Sequence, residues 1–181
     1  VGEQRAKQLG KLGITTIQDL LFYPPRKLED RSVIKKIGEA KPGEHVTIRA
    51  RIRAIDVIKP RRNLEILKLA LQDNTGVLFV TFFNQPWLKS QFAQGERIWL
   101  YGQIERNYGG TQMNSPVWEP EENQFLTGRL VPIYPGTKGL TAAILYRLIR
   151  QNLDLYQDQI EELLPEDLRG SLGLITRKEA I

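Results

Sequence analysis

The chain has 181 residues, 41% of them apolar and 26% charged, which suits one compact domain with appendages and is too apolar for a disordered tail. It has no cysteine and one histidine, His45, so disulfides, thiolate metal sites and cysteine nucleophiles are excluded, and a zinc or non-haem iron site lacks ligands. The net charge of +5 favours an anionic partner, no apolar run reaches the roughly 18 residues of a membrane span, and Glu3, Arg5 and Lys7 stand where a signal peptide would be apolar.

Residues 1–32 predict a helical hairpin and a connector. Ala6, Leu9 and Leu12 recur at helical spacing between Arg5 and Leu12, and Gly13 stops the run. Thr16 with Asp19 forms a capping-box pattern ahead of Ile17, Leu20 and Leu21, and Pro24-Pro25 ends that second helix. Amides at a helix start can hold phosphate; a plain buttress is an equal reading of this hairpin.

Residues 33–125 predict a barrel. Val46, Ile48, Ala50, Ile52 and Ala54 alternate with Thr47, Arg49, Arg51 and Arg53, which reads as a strand with one dry and one wet face. Leu64 to Gln72 is a second strand, Asp73-Asn-Thr-Gly76 a hairpin turn, and Val77 to Phe83 a third strand. Pro86 to Phe92 suits one helical turn. Arg97 to Arg106 is a fourth strand, with Trp99 and Tyr101 opposite Ile98, Leu100 and Ile104; Gln112 to Trp118 is a fifth. Five strands with a helix-like insert between the third and fourth match the oligonucleotide-binding barrel, or OB-fold, with a meander or sandwich as the alternative on pattern alone. Residues 126–181 predict a helical linker: Thr141 caps, and Leu145, Leu148, Ile149 and Leu153 form an apolar stripe of structural character. The fold class is therefore mainly β with flanking helices.

Charge is unevenly spread. Six basic residues fall between Val46 and Arg62 against the single acid Asp56, whereas Gln151 to Leu168 holds six acids and no Lys or Arg. The chain lacks an initial Met, and Thr176-Arg-Lys-Glu179 opens a helix just before the end, so the sequence reads as part of a longer protein.

Catalytic motifs are missing. Gly136-Thr-Lys-Gly139 lacks the spacing of a phosphate-binding loop, there is no Gly-x-Ser-x-Gly elbow, and Glu161-Glu162 read as solvated surface. The functional candidates are of another kind. Phe83 and Trp87, four residues apart at the end of the third strand, could stack on unpaired bases at the barrel rim; burial of one ring, with Trp87 plugging the barrel end, is the competing reading. Arg49, Arg51 and Arg53, with Lys59, Arg61 and Arg62 in the following loop, suit phosphate contacts or a merely solubilising face. Arg106 and Tyr108 add a cation and a ring in the turn between the last two strands.

These residues resemble a family. Val1-Gly-Glu-Gln-Arg-Ala6, Leu12-Gly-Ile-Thr-Thr-Ile-Gln-Asp-Leu-Leu21 and Pro25-Arg-Lys-Leu-Glu-Asp-Arg31 are similar to the opening of the wedge domain of bacterial RecG helicases. Phe82-Phe-Asn-Gln-Pro-Trp-Leu88, Asn114-Ser-Pro116, Leu130-Val-Pro-Ile-Tyr-Pro135, Gly139-Leu-Thr141, Leu164-Pro-Glu-Asp-Leu168 and Gly173-Leu-Ile175 extend the likeness along the chain. The resemblance implies a non-catalytic module that binds branched DNA, at stalled forks and Holliday junctions, in repair, recombination and fork regression. It implies Phe83 and Trp87 as base-stacking rings, with Asn84 beside them as a DNA-contacting residue; Trp replaces a frequent Tyr or Phe, and Pro86 departs from the pattern. It further implies a monomer in the bacterial cytoplasm, nucleoid-associated and without a membrane. ATP-driven helicase domains using Mg²⁺ would follow on the C-terminal side, the fragment itself would hold no cofactor, and single-strand-binding protein would be a partner. A general single-strand-binding or protein-interaction OB module is the alternative, since fold does not decide function; an RNA-binding OB domain is a third.

Overall fold

The structure is a computed structural model that describes residues 2–180, so Val1 of the opening motif and Ile181 lie outside the described residues. Two compact units form, Val1–Leu28 with Pro132–Ile181, and Glu29–Val131.

In the first unit, α1 (Glu3–Gly10) and α2 (Ile17–Leu21) are joined by a turn at Gly13, whose φ of 77° is a left-handed value that glycine adopts without strain. The capping box forms as the sequence predicts: the Asp19 amide donates to Thr16 Oγ1 at 3.1 Å, and the Thr16 amide donates back to Asp19 Oδ2 at 2.9 Å. Leu9, Leu20 and Leu21 are buried.

The second unit is built on a long antiparallel sheet. After β1 (Lys27–Asp30), the 17-residue β2 (His45–Arg61) pairs on one side with β3 (Leu64–Gln72) and on the other with β5 (Arg97–Gln103). Between β3 and β5 lie β4 (Val77–Phe83) and a 3₁₀ turn over Pro86–Gln91. Then come β6 (Glu105–Asn107), β7 (Gly110–Asn114) and β8 (Val117–Pro120). The seven strands run β6-β7-β4-β3-β2-β5-β8, with β7 parallel to β4. The sheet curls into a half-barrel around Ile48, Ile52, Leu69, Leu71, Val80, Leu100 and Met113, all fully buried. The OB-fold order of strands is thus present, with β5 and β6 together forming its fourth strand and β7 and β8 its fifth.

Four details differ from the strand reading. β2 is longer than expected, so Lys59 and Arg61 lie on the strand and only Arg62 and Asn63 form the turn. Its register slips at Arg53: Ile52 pairs with Leu71, but Ala54 pairs with Ala70. One extra residue flips the faces, which is what a β-bulge does. Ile55 and Val57 therefore turn to the core, and Ala54, expected inside, is exposed. Thr47, expected on the wet face, is buried; its hydroxyl donates to the Arg31 carbonyl at 2.7 Å. Finally, the expected fourth strand breaks at buried Ile104, and the fifth breaks at Ser115-Pro116, where Ser115 takes a φ of 45°.

Two buried charged residues fasten the segments around this sheet. Glu119 on β8 accepts from the amides of Phe125 and Leu126 at 2.8 and 2.7 Å and from the buried Thr127 hydroxyl at 2.9 Å. Arg31 donates to Glu29 and to the Leu126 carbonyl, and its guanidinium lies 4.9 Å from the Tyr101 ring centre. This segment covers Tyr101, so a residue expected on the open face is buried.

Residues 126–141, expected to be helical, are not. They hold β9 (Leu130–Ile133), which pairs with β1. In the first unit α3 (Ala142–Tyr156) follows, capped by Thr141 as expected, with Leu145 and Ile149 buried and Leu148 and Leu153 half-buried; α4 (Glu166–Ser171) comes last. Thr176 and Glu179 form the second expected capping box. Among the described residues no helix is long and apolar enough to cross a membrane.

Removing the Glu119 carboxylate leaves two amides and a buried hydroxyl unpaired, at about 1–3 kcal/mol per group where water does not replace it. Glu119→Ala should therefore lower unfolding free energy in urea by about 3 kcal/mol or more. Asp19 gives a pH signature. The Thr15 amide first, then the Thr16 amide and both hydroxyls, hold its carboxyl at about 2 against an ordinary 3.8. With the folded value the lower one, its stabilisation is complete above 3.8 and fades as pH falls toward 2. An NMR titration should place the Asp19 midpoint near 2, and Asp19→Asn should remove that acid-side dependence.

Candidate nucleic-acid interface

The rim of the half-barrel at the end of β4 follows from strand parity. Phe82 points inward, is 2% exposed and stacks on Phe92 with ring centres 5.9 Å apart; Phe92 in turn meets Trp118 at 4.4 Å. Adjacent strand residues face opposite ways, so Phe83 is driven outward and is 42% exposed. The same logic acts one step later. Leu88 of the 3₁₀ turn is buried, and its neighbour Trp87 is 60% exposed. Pro86 opens that turn at its first positions, where a missing amide costs nothing. Of the adjacent pair Phe82 and Phe83, the exposed ring is Phe83.

Asn84 sets the path between the two rings. It takes a left-handed φ of 52°, a conformation that Asn tolerates better than most residues. Its amide donates to the Glu65 carbonyl at 2.7 Å, and its Oδ1 accepts from the Glu65 amide at 3.1 Å. Asn84, placed by the sequence among DNA-contacting residues, thus also clamps the turn to the start of β3. The β2–β3 hairpin tip stands at the same end of the sheet: Arg61 pairs with Leu64, two residues from Ile66, which pairs with Phe83. Arg61 and Arg62 are both exposed.

The remaining arginines gather elsewhere. Arg51 pairs with Gln72 on β3 and with Arg97 on β5, six residues along β3 from the partner of Phe83, or about 20 Å. There Arg49, Arg51, Arg53 and Arg97 line a cleft of about 450 Å³ with Gln72 and Asn74. Glu121 pairs with Arg49 and lies 3.8 Å from Arg97, while Arg51 and Arg53 have no ion pair among the described residues. Asp73 also borders the cleft, but its carboxylate is taken up by the amides of Ile37, Thr75 and Gly76. The cleft therefore keeps a net positive charge. Arg97 was not a candidate in the sequence; its position directly across from Arg51 emerges only from the β2–β5 register.

Arg106 and Tyr108 sit on the exposed β6–β7 hairpin. Arg106 pairs with Thr111, which pairs with Leu78, so this tip lies toward the start of β4, five residues or about 16 Å from Phe83. The candidate residues thus form three groups: two rings with Arg61, Arg62 and Asn84; the arginine cleft; and the β6–β7 tip.

Comparison with known proteins places this arrangement. The family model described as the RecG wedge domain matches residues 1–156. The ATP-dependent DNA helicase RecG of Escherichia coli (strain K12) is 33% identical over 100% of this chain and 26% of its own length. The ATP-dependent DNA helicase RecG of Thermotoga maritima is 31% identical over 99% of this chain and 23% of its own. A solved structure of RecG bound to a three-way DNA junction superposes with a TM-score of 0.83 at 31% identity, covering 99% of this chain and 25% of that one. The chain spans about a quarter of the length of these relatives. With its rim, barrel and flanking helices all inside those matches, the chain belongs to the RecG wedge domain family.

Proposed function

We propose that this chain is the DNA-binding wedge of a helicase, holding branched DNA and separating strands at the branch point. The observation that carries the reading is the pair of exposed rings, Phe83 and Trp87, each held out by a buried neighbour, Phe82 and Leu88. A ring fixed in this way meets an unpaired base at little entropic cost, and base stacking is worth about 1–3 kcal/mol per base, whatever the sequence. Arg61, Arg62 and Asn84 surround the rings, Arg49, Arg51 and Arg53 hold the backbone of a duplex arm, and Arg106 and Tyr108 touch a further segment. Phosphate contacts of this kind give affinity without sequence preference, as a protein acting at any stalled fork or Holliday junction requires.

Within a whole protein the module serves fork regression, recombination and repair in the bacterial cytoplasm, close to the nucleoid, as a monomer. ATP and Mg²⁺ belong to helicase domains on its C-terminal side, which move the DNA against the wedge. Single-strand-binding protein at the fork is a further partner.

The intact chain should bind a fork more tightly than linear duplex or single strand. Phe83→Ala with Trp87→Ala should erase that preference and leave the unfolding midpoint nearly unchanged, since exposed rings contribute little to the fold. Equal binding of all three forms by the unmodified chain would instead mark a general single-strand or protein-interaction module. The arginine cleft is tested separately by salt. Each phosphate contact contributes about −0.9 to the slope of log affinity on log salt. Arg51→Gln with Arg53→Gln should weaken the fork and the linear duplex alike and flatten their slopes by about 2.

A further inference from the structure

We infer that Glu121 is an internal stand-in for phosphate: it occupies Arg49 and Arg97 when no DNA is bound, and so keeps the grip of the arginine cleft on a duplex weak enough to exchange. This rests on the DNA-binding reading of the cleft given above and adds a regulating acid to it.

The register of the sheet places Glu121. Trp99 of β5 pairs with Glu119 of β8, and Ile98 pairs with Pro120, so the residue that follows β8 comes level with Arg97. Arg97 in turn pairs with Arg51 on β2. Glu121 thus ends a row that begins with two arginines. Its Oε1 lies 3.8 Å from Arg97 and also pairs with Arg49. Arg49 is steadied there by Trp99, whose ring centre lies 5.7 Å from the guanidinium carbon.

The turn that carries Glu121 is tied at both ends. The Asn123 amide donates to the Pro120 carbonyl at 3.2 Å. The amides of Phe125 and Leu126 donate to the buried carboxylate of Glu119. Residues 120–124 are therefore held against the end of β8, and the Glu121 carboxylate stays at the edge of the cleft.

A carboxylate oxygen shared by two guanidinium groups takes the place of a phosphate oxygen. The Arg49 and Arg97 side chains are 45% and 46% exposed, so water screens both pairs and each is weak. Duplex DNA carries about one negative charge per 1.7 Å of its axis and displaces a single carboxylate. The arginines then change partner, and part of their affinity for phosphate is cancelled by the pairs they leave. DNA drawn against the wedge has to give up each phosphate contact in turn, and Glu121 receives the arginines as a phosphate departs. The neighbouring acids have other settings. Glu96 accepts from the Ala93 amide at 3.1 Å, and Glu122, exposed beside Glu121, has no ion-pair partner among the described residues.

The test follows binding of linear duplex and of a fork to the intact chain by fluorescence anisotropy over a range of salt. Glu121→Gln should tighten both DNA forms roughly three- to tenfold at low salt and steepen the slope of log affinity on log salt by about 1–2, as two arginines pass wholly to phosphate. A gain of affinity is not what a damaged fold produces. Glu122→Gln removes the same charge one residue away and should leave the slope unchanged. In a chain that already carries Arg49→Gln and Arg97→Gln, Glu121→Gln should have no effect. The stand-in is wrong if Glu121→Gln binds no more tightly than the unmodified chain, if Glu122→Gln gains as much, or if the gain persists without the two arginines. If Arg51→Gln with Arg53→Gln weakens the duplex while Glu121→Gln changes nothing, only the stand-in falls; if neither has an effect, the reading of the cleft as a DNA surface falls with it.

Discussion

The stacking of Phe82 on Phe92 inside the half-barrel governs the direction of every ring on β4. A strand offers its residues to alternate faces, so anchoring one position assigns all the others. With Phe82, Val80 and Leu78 committed to the core, Phe83 and Phe79 have no choice but the outer surface. Burial of Phe82 offsets the cost of leaving two phenylalanines in water, and the exposed rings are as well positioned as the core beneath them. The site is in this sense a by-product of packing: the residues that hold the sheet together also aim the residues that face solvent.

The basic surface depends on the same parity and on its interruption. Arg49 and Arg51 face outward because Ile48, Ala50 and Ile52 face inward. At Arg53 the bulge inserts one residue, and the remainder of β2 turns Ile55 and Val57 to the core instead. Without it, the 17-residue strand would carry Ala54 and Asp56 toward the interior, the second of them an unpaired carboxylate. The slip thus keeps a charge out of the core and gives β2 the extra bend with which it can serve both β3 and β5.

Much of this was legible in the sequence, and the remainder was hidden for definite reasons. Local signals were read directly: Thr16 with Asp19 caps a helix, Asp73 to Gly76 makes a hairpin, and Pro86 begins a turn, because each depends only on residues a few positions apart. The two core periodicities, and from them the fold class, followed as well. Pattern alone left open which of Phe82 and Phe83 would be buried, since both parities of β4 present aromatic residues; in the fold Leu78, Val80 and Phe82 go to the core together. The burial of Thr47 and Tyr101 was invisible because it comes from Arg31 and its neighbours, distant in sequence. The convergence of Arg97 on Arg51 needs the β2–β5 register, and the bulge at Arg53 leaves no mark in composition.

The hydrogen bonds between Asn84 and Glu65 carry one more implication. They join the ring-bearing turn to the beginning of a central strand, so the turn cannot swing as a free loop. A load applied to Trp87 is transmitted through main-chain atoms into β3 and onward across the sheet. The rim that carries Trp87 is thereby continuous, through its main chain, with the central strands of the sheet.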